Sequence, residues 1–225
     1  MRILRRMNER TVVHEVEEEA GPGRPSIIII SDFVCPWCYI GLVEVERLKQ
    51  EYEFDVHFAP YLLRRETPPE GMLARRIIAP DAPPTPMEQR GADLGINFKR
   101  GRTTTSYSHL ALEAAEFAFQ YSEDPWSFHR RLFRAYFEEL EDIGDIDVLV
   151  RLGDEVGIDG KSLEEALNDR HFENEVDEGI AWSREIGVTA IPTFVFNERQ
   201  GMVGAQELPA LREMMQRVGN LPRAR

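Results

Sequence analysis

The sequence predicts an α/β fold in which a strand–helix–strand unit and a later strand–strand–helix unit are separated by a long all-helical insertion. Three observations carry that prediction. Ile27-Ile28-Ile29-Ile30 is the kind of unbroken apolar run a fully buried strand requires, and Leu42, Val45, Leu48 and Tyr52 then recur at helical spacing. Helical patterns with their own start and stop signals fill the stretch from 85 to 187. Thr193-Phe194-Val195-Phe196-Asn197 then returns the chain to β structure ahead of a last amphipathic segment.

Taken in order, residues 1–25 are polar, end in Gly21-Pro22-Gly23-Arg24-Pro25, and read as a tail with one short strand at 11–17. The first part of the core, 26–62, holds a strand at 26–32, a helix at 36–51 and a strand at 54–60. Pro36 suits the first turn of that helix, where its missing N–H costs nothing. Phe54-Asp55-Val56-His57-Phe58 alternates with period two, and a strand–helix–strand unit implies parallel strands joined by a right-handed crossover. Residues 63–187 are the boundary loop and the insertion. Pro68-Pro69-Glu70-Gly71 and Pro80-Asp81-Ala82-Pro83-Pro84 mark the loop, with one helical turn expected at 72–77.

Thr85-Pro86-Met87-Glu88 is a capping box with proline in the first turn, so a helix starts there. Further helices are expected at 110–121, at 126–140 with Leu132, Phe133, Tyr136, Phe137 and Leu140 along one stripe, at 145–156, and from a second capping box, Ser162-Leu163-Glu164-Glu165. Phe172, Val176, Ile180 and Ser183 share one face of a helix that should stop at Gly187. The last part of the core, 188–225, is read as a strand at 193–197, a turn at 198–201, a partner strand at 202–205 and a helix with Leu208, Leu211, Met215 and Val218 inward, stopped by Gly219. This is the element order of a thioredoxin fold interrupted in its middle.

The two cysteines of the chain, Cys35 and Cys38, sit where the first strand becomes a helix. Unpaired N–H groups and the positive end of the helix dipole favour an anion there, so the Cys35 sulfur should lose its proton more easily than a free thiol. Cys38 lies one turn deeper on the same face, which lets the pair close a small-ring disulfide or stand as a dithiol. A redox pair follows, with Cys35, expected exposed, attacking and Cys38 resolving. A static disulfide across so small a loop would add little stability. A zinc site would need two more ligands, whereas no other cysteine exists and His57, His109 and His171 are scattered, so no metal is expected.

A net charge of −13 argues against nucleic-acid backbone binding, which needs a basic face. No segment approaches the apolar length of a membrane span, and residues 1–26 lack the apolar core of a signal peptide. The expected location is therefore cytoplasmic, where a lone cysteine pair is more often catalytic than structural.

Ser31-Asp32-Phe33-Val34-Cys35-Pro36-Trp37-Cys38-Tyr39-Ile40-Gly41, Gly187-Val188-Thr189-Ala190-Ile191-Pro192-Thr193-Phe194-Val195-Phe196-Asn197 and Gly204-Ala205-Gln206 resemble the DsbA-like thioredoxin-fold oxidoreductases, and within them the FrnE-like branch. The likeness continues at Ser108-His109 and Leu132-Phe133-Arg134-Ala135-Tyr136-Phe137. It implies a cis Ile191-Pro192 bond facing the sulfurs, with Ile191 free to pair strand-like with an extended substrate. It also implies Pro36, Trp37, Ile191 and Pro192 as the substrate-binding set around catalytic Cys35 and Cys38. Several thioredoxin-fold enzymes have a buried carboxylate six residues before the first cysteine; here Ile29 stands there, and Asp32, three residues closer, either orients the loop or caps the helix.

Phe33, Trp37 and Tyr39 either line an apolar substrate surface or pack the helix, with Trp37 the one favoured for contact. His109 reads as a buried, hydrogen-bonded ring more than as a catalytic one, and Gln206 as either the floor of the site or a structural residue. The resulting function is thiol–disulfide exchange or isomerisation on a protein or small-molecule thiol or disulfide. No bound cofactor is expected beyond the redox-active Cys35–Cys38 disulfide, with glutathione or another thiol as electron partner. Monomer and homodimer both fit. Two other functions compete: a glutathione-dependent isomerase or transferase resembling 2-hydroxychromene-2-carboxylate isomerase and the kappa-class transferases, which use a serine where Cys35 stands, and a non-enzymatic chaperone-like binder.

Overall fold

In the computed structural model, which describes residues 25–75 and 77–219, a mixed four-stranded sheet carries the site. The expected strand at 11–17 lies outside the described residues. Strand β1 (Ser26–Ser31) pairs in parallel with β2 (Asp55–Pro60), and α1 (Pro36–Lys49) crosses between them. On its other side β1 pairs antiparallel with β5 (Thr193–Phe196), which pairs with β6 (Gln200–Val203). The order β2-β1-β5-β6 makes β1 an inner strand. Flanked on both sides and covered on both faces, it explains the isoleucine run. Alternation sends Ile28 and Ile30 into the core shared with the insertion, and Ile27 and Ile29 into the core shared with the last helix, α8 (Leu208–Arg217). Each buried isoleucine contributes roughly 1.5–3 kcal/mol, so this strand anchors both cores.

The insertion begins with a departure from the sequence reading. Met72–Leu73 form not a helical turn but a short strand, β3, antiparallel to β4 (Thr104–Thr105), and Ala74 N–H extends the ribbon to the Thr103 carbonyl at 2.8 Å. Beyond this ribbon, the regular elements described between 63 and 187 are helices joined by loops. The Thr85 capping box opens α2 (Pro86–Asp93), its hydroxyl accepting from Glu88 N–H while the Glu88 carboxylate accepts from Thr85 N–H. Helix α3 (Ser108–Tyr121) follows, then α4 (Pro125–Arg134), which runs into a π-helical turn at Ala135–Glu139 where a uniform α-helix was expected. Leu140, at φ 64°, ends it. The Asp145 carboxylate caps α5 (Ile146–Asp154) through Asp147 N–H at 2.9 Å.

The second predicted capping box is not used as one. Helix α6 (Gly160–Asn168) starts after Asp159, three residues before Ser162 as a cap would have opened it, and the Ser162 hydroxyl donates back to Asp159 at 2.5 Å. Helix α7 (Glu173–Glu185) ends ahead of Gly187, whose φ of 85° supplies the left-handed stop. It lies over β2, with Ser183 Oγ donating to the Pro60 carbonyl at 3.0 Å. The β5–β6 turn is shorter and earlier than expected: Asn197 and Glu198 take φ of 47° and 56°, and β6 covers Gln200–Val203, two residues ahead of the expected 202–205. Asn197 is suited to that conformation, and its amide oxygen accepts from Ser26 N–H at 2.9 Å, fixing the start of β1.

Candidate active site

Cys35 is the residue that turns strand into helix. Its extended backbone (φ −99°, ψ 111°) precedes Pro36, and its carbonyl accepts the first helical bond, from Cys38 N–H at 3.0 Å. No side chain caps the α1 N-terminus, so its free N–H groups and dipole act on the sulfur. Across from it stands the Ile191-Pro192 segment, joined by a cis peptide bond. The Cys35 thiol points at the Ile191 carbonyl oxygen, 3.8 Å away. Pro192 is held in turn from the other side, its carbonyl accepting from Gly204 N–H at 2.7 Å.

Gly41 makes this approach possible. A Cβ at that position would lie 3.1 Å from Pro192 Cγ and 3.0 Å from Phe194 Cζ, so a side chain at residue 41 would press on the proline segment and make its neighbours give by a few tenths of an ångström. Gly41 belongs to the site through this contact, which its place in the first motif did not by itself disclose.

The sulfurs are more enclosed than expected. Cys35 is 4% exposed and Cys38 1%, both within the apolar core shared with the insertion and Cys35 against Ile191; Trp37, at 39%, is the member of the motif that meets solvent. Both cysteines are thiols. Burial pushes the Cys38 thiol well above its ordinary pKa, and the Cys35 thiol beside it adds to the rise; the Ser31 hydroxyl and Asp32 N–H work the other way. Cys38 is therefore a protonated thiol at neutral pH.

Asp32 does not cap α1. Its carboxylate is wholly buried and accepts from Leu63 N–H at 2.7 Å and Val34 N–H at 3.3 Å, which fixes the loop before Cys35 to the chain leaving β2. Burial raises its pKa to about 6, opposed by these amides and by the Ser108 hydroxyl at the start of α3. Phe33, 2% exposed, packs on Phe133 and His129 at 4.9 and 5.3 Å, and Tyr39 stacks on Phe133 at 5.3 Å. Both rings are thus packing residues of the helix and its loop. The π turn brings Glu138 to the Tyr39 hydroxyl, which donates to it at 2.6 Å.

His109 lies on the first turn of α3 with both ring nitrogens engaged, Nδ1 with Glu113 at 2.7 Å and Nε2 with Asp177 at 3.1 Å. Burial disfavours its charge, but the two carboxylates outweigh that and hold its pKa above the ordinary value. It ties α3 to α7 and reaches neither sulfur by any of these bonds. Gln206 folds back to donate to the Val203 carbonyl at 2.7 Å, closing the end of β6. His129, which sequence reasoning did not single out, is buried against Phe58 at 3.6 Å between ring centroids, and burial lowers its pKa to about 4. Among the described residues, no cluster of three or more His, Cys, Asp or Glu side chains could hold a metal ion, and no helix is long and apolar enough to cross a membrane.

With that geometry in place, comparison with known proteins supplies relatives. An uncharacterized protein of Bacillus subtilis, YwbO, is 29% identical over 174 residues, covering 76% of this chain and 86% of its own. A probable DsbA oxidoreductase from Streptomyces coelicolor superposes with a TM-score of 0.71 at 19% identity, over 89% of this chain and 93% of that one. A 2-hydroxychromene-2-carboxylate isomerase gives 0.67 at 15% identity (86% and 95%), and the cytosolic disulfide reductase DsbM from Pseudomonas aeruginosa with GSH gives 0.63 at 20% (85% and 99%). At these identities the superpositions establish the shared fold. The DSBA-like thioredoxin domain family matches residues 26–216, most of the chain and all of the site, and the protein belongs to that family.

Proposed function

We propose that the protein exchanges thiols for disulfides at Cys35 and Cys38, on protein or small-molecule substrates, as a member of the FrnE-like branch. The observation that carries this reading is the Cys35 sulfur at the N-terminus of α1, 3.8 Å from the carbonyl of the residue before Pro192. In the reducing direction the Cys35 thiolate attacks one sulfur of a substrate disulfide. A Cys35–substrate bond forms, the substrate S–S bond breaks, and the other substrate sulfur leaves as a thiolate. Cys38 gives up its proton and attacks the Cys35 sulfur; the Cys35–Cys38 bond forms and the second substrate thiolate departs. The substrate has gained two electrons and the pair has lost them; oxidation is the reverse. Trp37, exposed beside Pro36, and the Ile191-Pro192 edge would hold the substrate chain.

Glutathione or another thiol would return the pair to the dithiol. The DsbM structure with GSH supports that choice of electron partner, and a reducing cytoplasm suits a lone cysteine pair. The likeness to the isomerase favours a second reading, glutathione-dependent isomerisation. Reduction of insulin by wild type, Cys35→Ala and Cys38→Ala separates them. Loss of at least about 1,000-fold on removing Cys35 is expected for the exchange reading. Activity that survives the loss of Cys35 contradicts it, and turnover that needs glutathione but ignores Cys38 favours the isomerase.

A further inference from the structure

We infer that Ser31 carries the proton of Cys38 out of the protein, into a solvent-open crevice between the sheet and helices α3 and α4. The inference rests on the thiol–disulfide reading. A thiol is a poor nucleophile until it loses its proton, and Cys38, 1% exposed, has no direct path to water. Two groups beside it favour its thiolate, the Ser31 hydroxyl and the Asp32 N–H. An amide N–H can donate but not accept; a hydroxyl does both and can pass a proton on. The Asp32 carboxylate is committed to Leu63 and Val34 N–H, and Ile29, on the same side of β1 as Ser31 by strand alternation, is an apolar core residue.

Ser31 is the last residue of β1 and half-buried. Besides neighbouring Cys38, it lines a narrow crevice of ≈ 30 Å³, room for about one water, whose other walls include Phe33, Phe58, Glu116 and His129. The titratable groups around the path are Cys35 at the cap of α1, Asp32 from the loop, Glu116 from α3 and His129 from α4. As Cys38 attacks the mixed disulfide, its proton moves to Ser31 Oγ and the Ser31 proton moves to water in the crevice. The Cys35–Cys38 bond forms, the Cys35–substrate bond breaks, and the substrate leaves as a thiolate that balances the released proton.

The test uses the reduced full-length protein and dithionitrobenzoate in stopped flow. Cys35 attack releases one equivalent of coloured thiolate, and Cys38 resolution of the Cys35 adduct releases the second. Ser31→Ala should leave the first phase at the wild-type rate and slow the second about 100-fold near neutral pH. That gap should close as rising pH lets hydroxide take the proton, and Ser31→Thr, which keeps the hydroxyl, should restore the second phase. In wild type, heavy water should slow the second phase and leave the first unchanged, a readout that needs no variant to fold. A second phase within twofold of wild type in Ser31→Ala, equal slowing in Ser31→Ala and Ser31→Thr, or a wild-type second phase indifferent to heavy water overturns the proton route alone. Absence of both phases in wild type overturns the exchange reading beneath it.

Discussion

The sulfurs and the groups that set their surroundings come from two differently built regions. The core segments, β1 to β2 and β5 to α8, place Cys35, Cys38 and Pro192 through strand pairing and apolar burial, and set the Ser31 hydroxyl and the Asp32 N–H beside Cys38. The insertion reaches the same loop with the Ser108 hydroxyl, the His129 ring and the Phe133 stack on Tyr39, while the chain entering it gives the Leu63 amide. Position is thus set by the core; the Cys38 proton is governed by core groups as well, Cys35, Ser31 and Asp32, while the insertion acts on the protonation of Asp32 through Ser108 and brings in the buried His129. A change in apolar packing should move atoms; a change at a buried titratable group, Asp32 in the core or His129 in the insertion, should move pH profiles.

The sharpest way to divide the two is a pair of pH-dependent stabilities. Asp32 has a folded pKa of about 6 against an ordinary 3.8, so its contribution is complete below 3.8 and is lost as pH rises through 6. His129 runs the other way: with a folded pKa of about 4 against 6.5, its contribution is complete above 6.5 and is lost as pH falls through 4. Over that window the two slopes oppose one another. Asp32→Asn should therefore lose about 3 kcal/mol on acidification across it, and His129→Gln should lose about 3 kcal/mol as pH rises across it. Urea denaturation at a series of pH values measures both, and parallel slopes in the two variants would show that the groups do not titrate independently of the fold.

A smaller effect is expected from Gly41→Val, where the new side chain meets Pro192 and Phe194. Overpacking of this kind costs about 1–3 kcal/mol, and because it displaces α1 from the proline segment, insulin reduction should fall along with the denaturation midpoint. Thr85→Ala, remote from the sulfurs in the helix cap of the insertion, should cost about 1 kcal/mol and leave insulin reduction unchanged. Should the two variants affect rate and stability alike, the division of labour between core and insertion would fail.

How much of this was legible follows from how each feature is encoded. Ile27 to Ile30 announce an inner strand because a run buried on both faces needs no polar alternation, and Thr85 with Glu88 announces a helix start because the cap is made by those two side chains. Ser162 and Glu165 carry the same signal and mislead, because the helix had already begun at Gly160. β3 and β4 are two residues each, too short for any period to show, and the π turn after Arg134 leaves the apolar stripe almost unaltered. At the site, the cysteine spacing is visible because the chemistry is local. The Asp32 contacts are not: one partner is the backbone N–H of Leu63, which every residue but proline has, and another is Ser108, far along the chain. The enclosure of Cys35 was missed for the same reason, since its cover arrives from Ile191.

The central claim is tested most directly by Cys38→Ser treated with an oxidised peptide disulfide, then digested and weighed by mass spectrometry without reduction. The account predicts a stable adduct of one peptide thiol at Cys35, formed under conditions in which wild type releases the peptide and closes its own disulfide. No adduct at Cys35, or an adduct that wild type retains equally well, would contradict it.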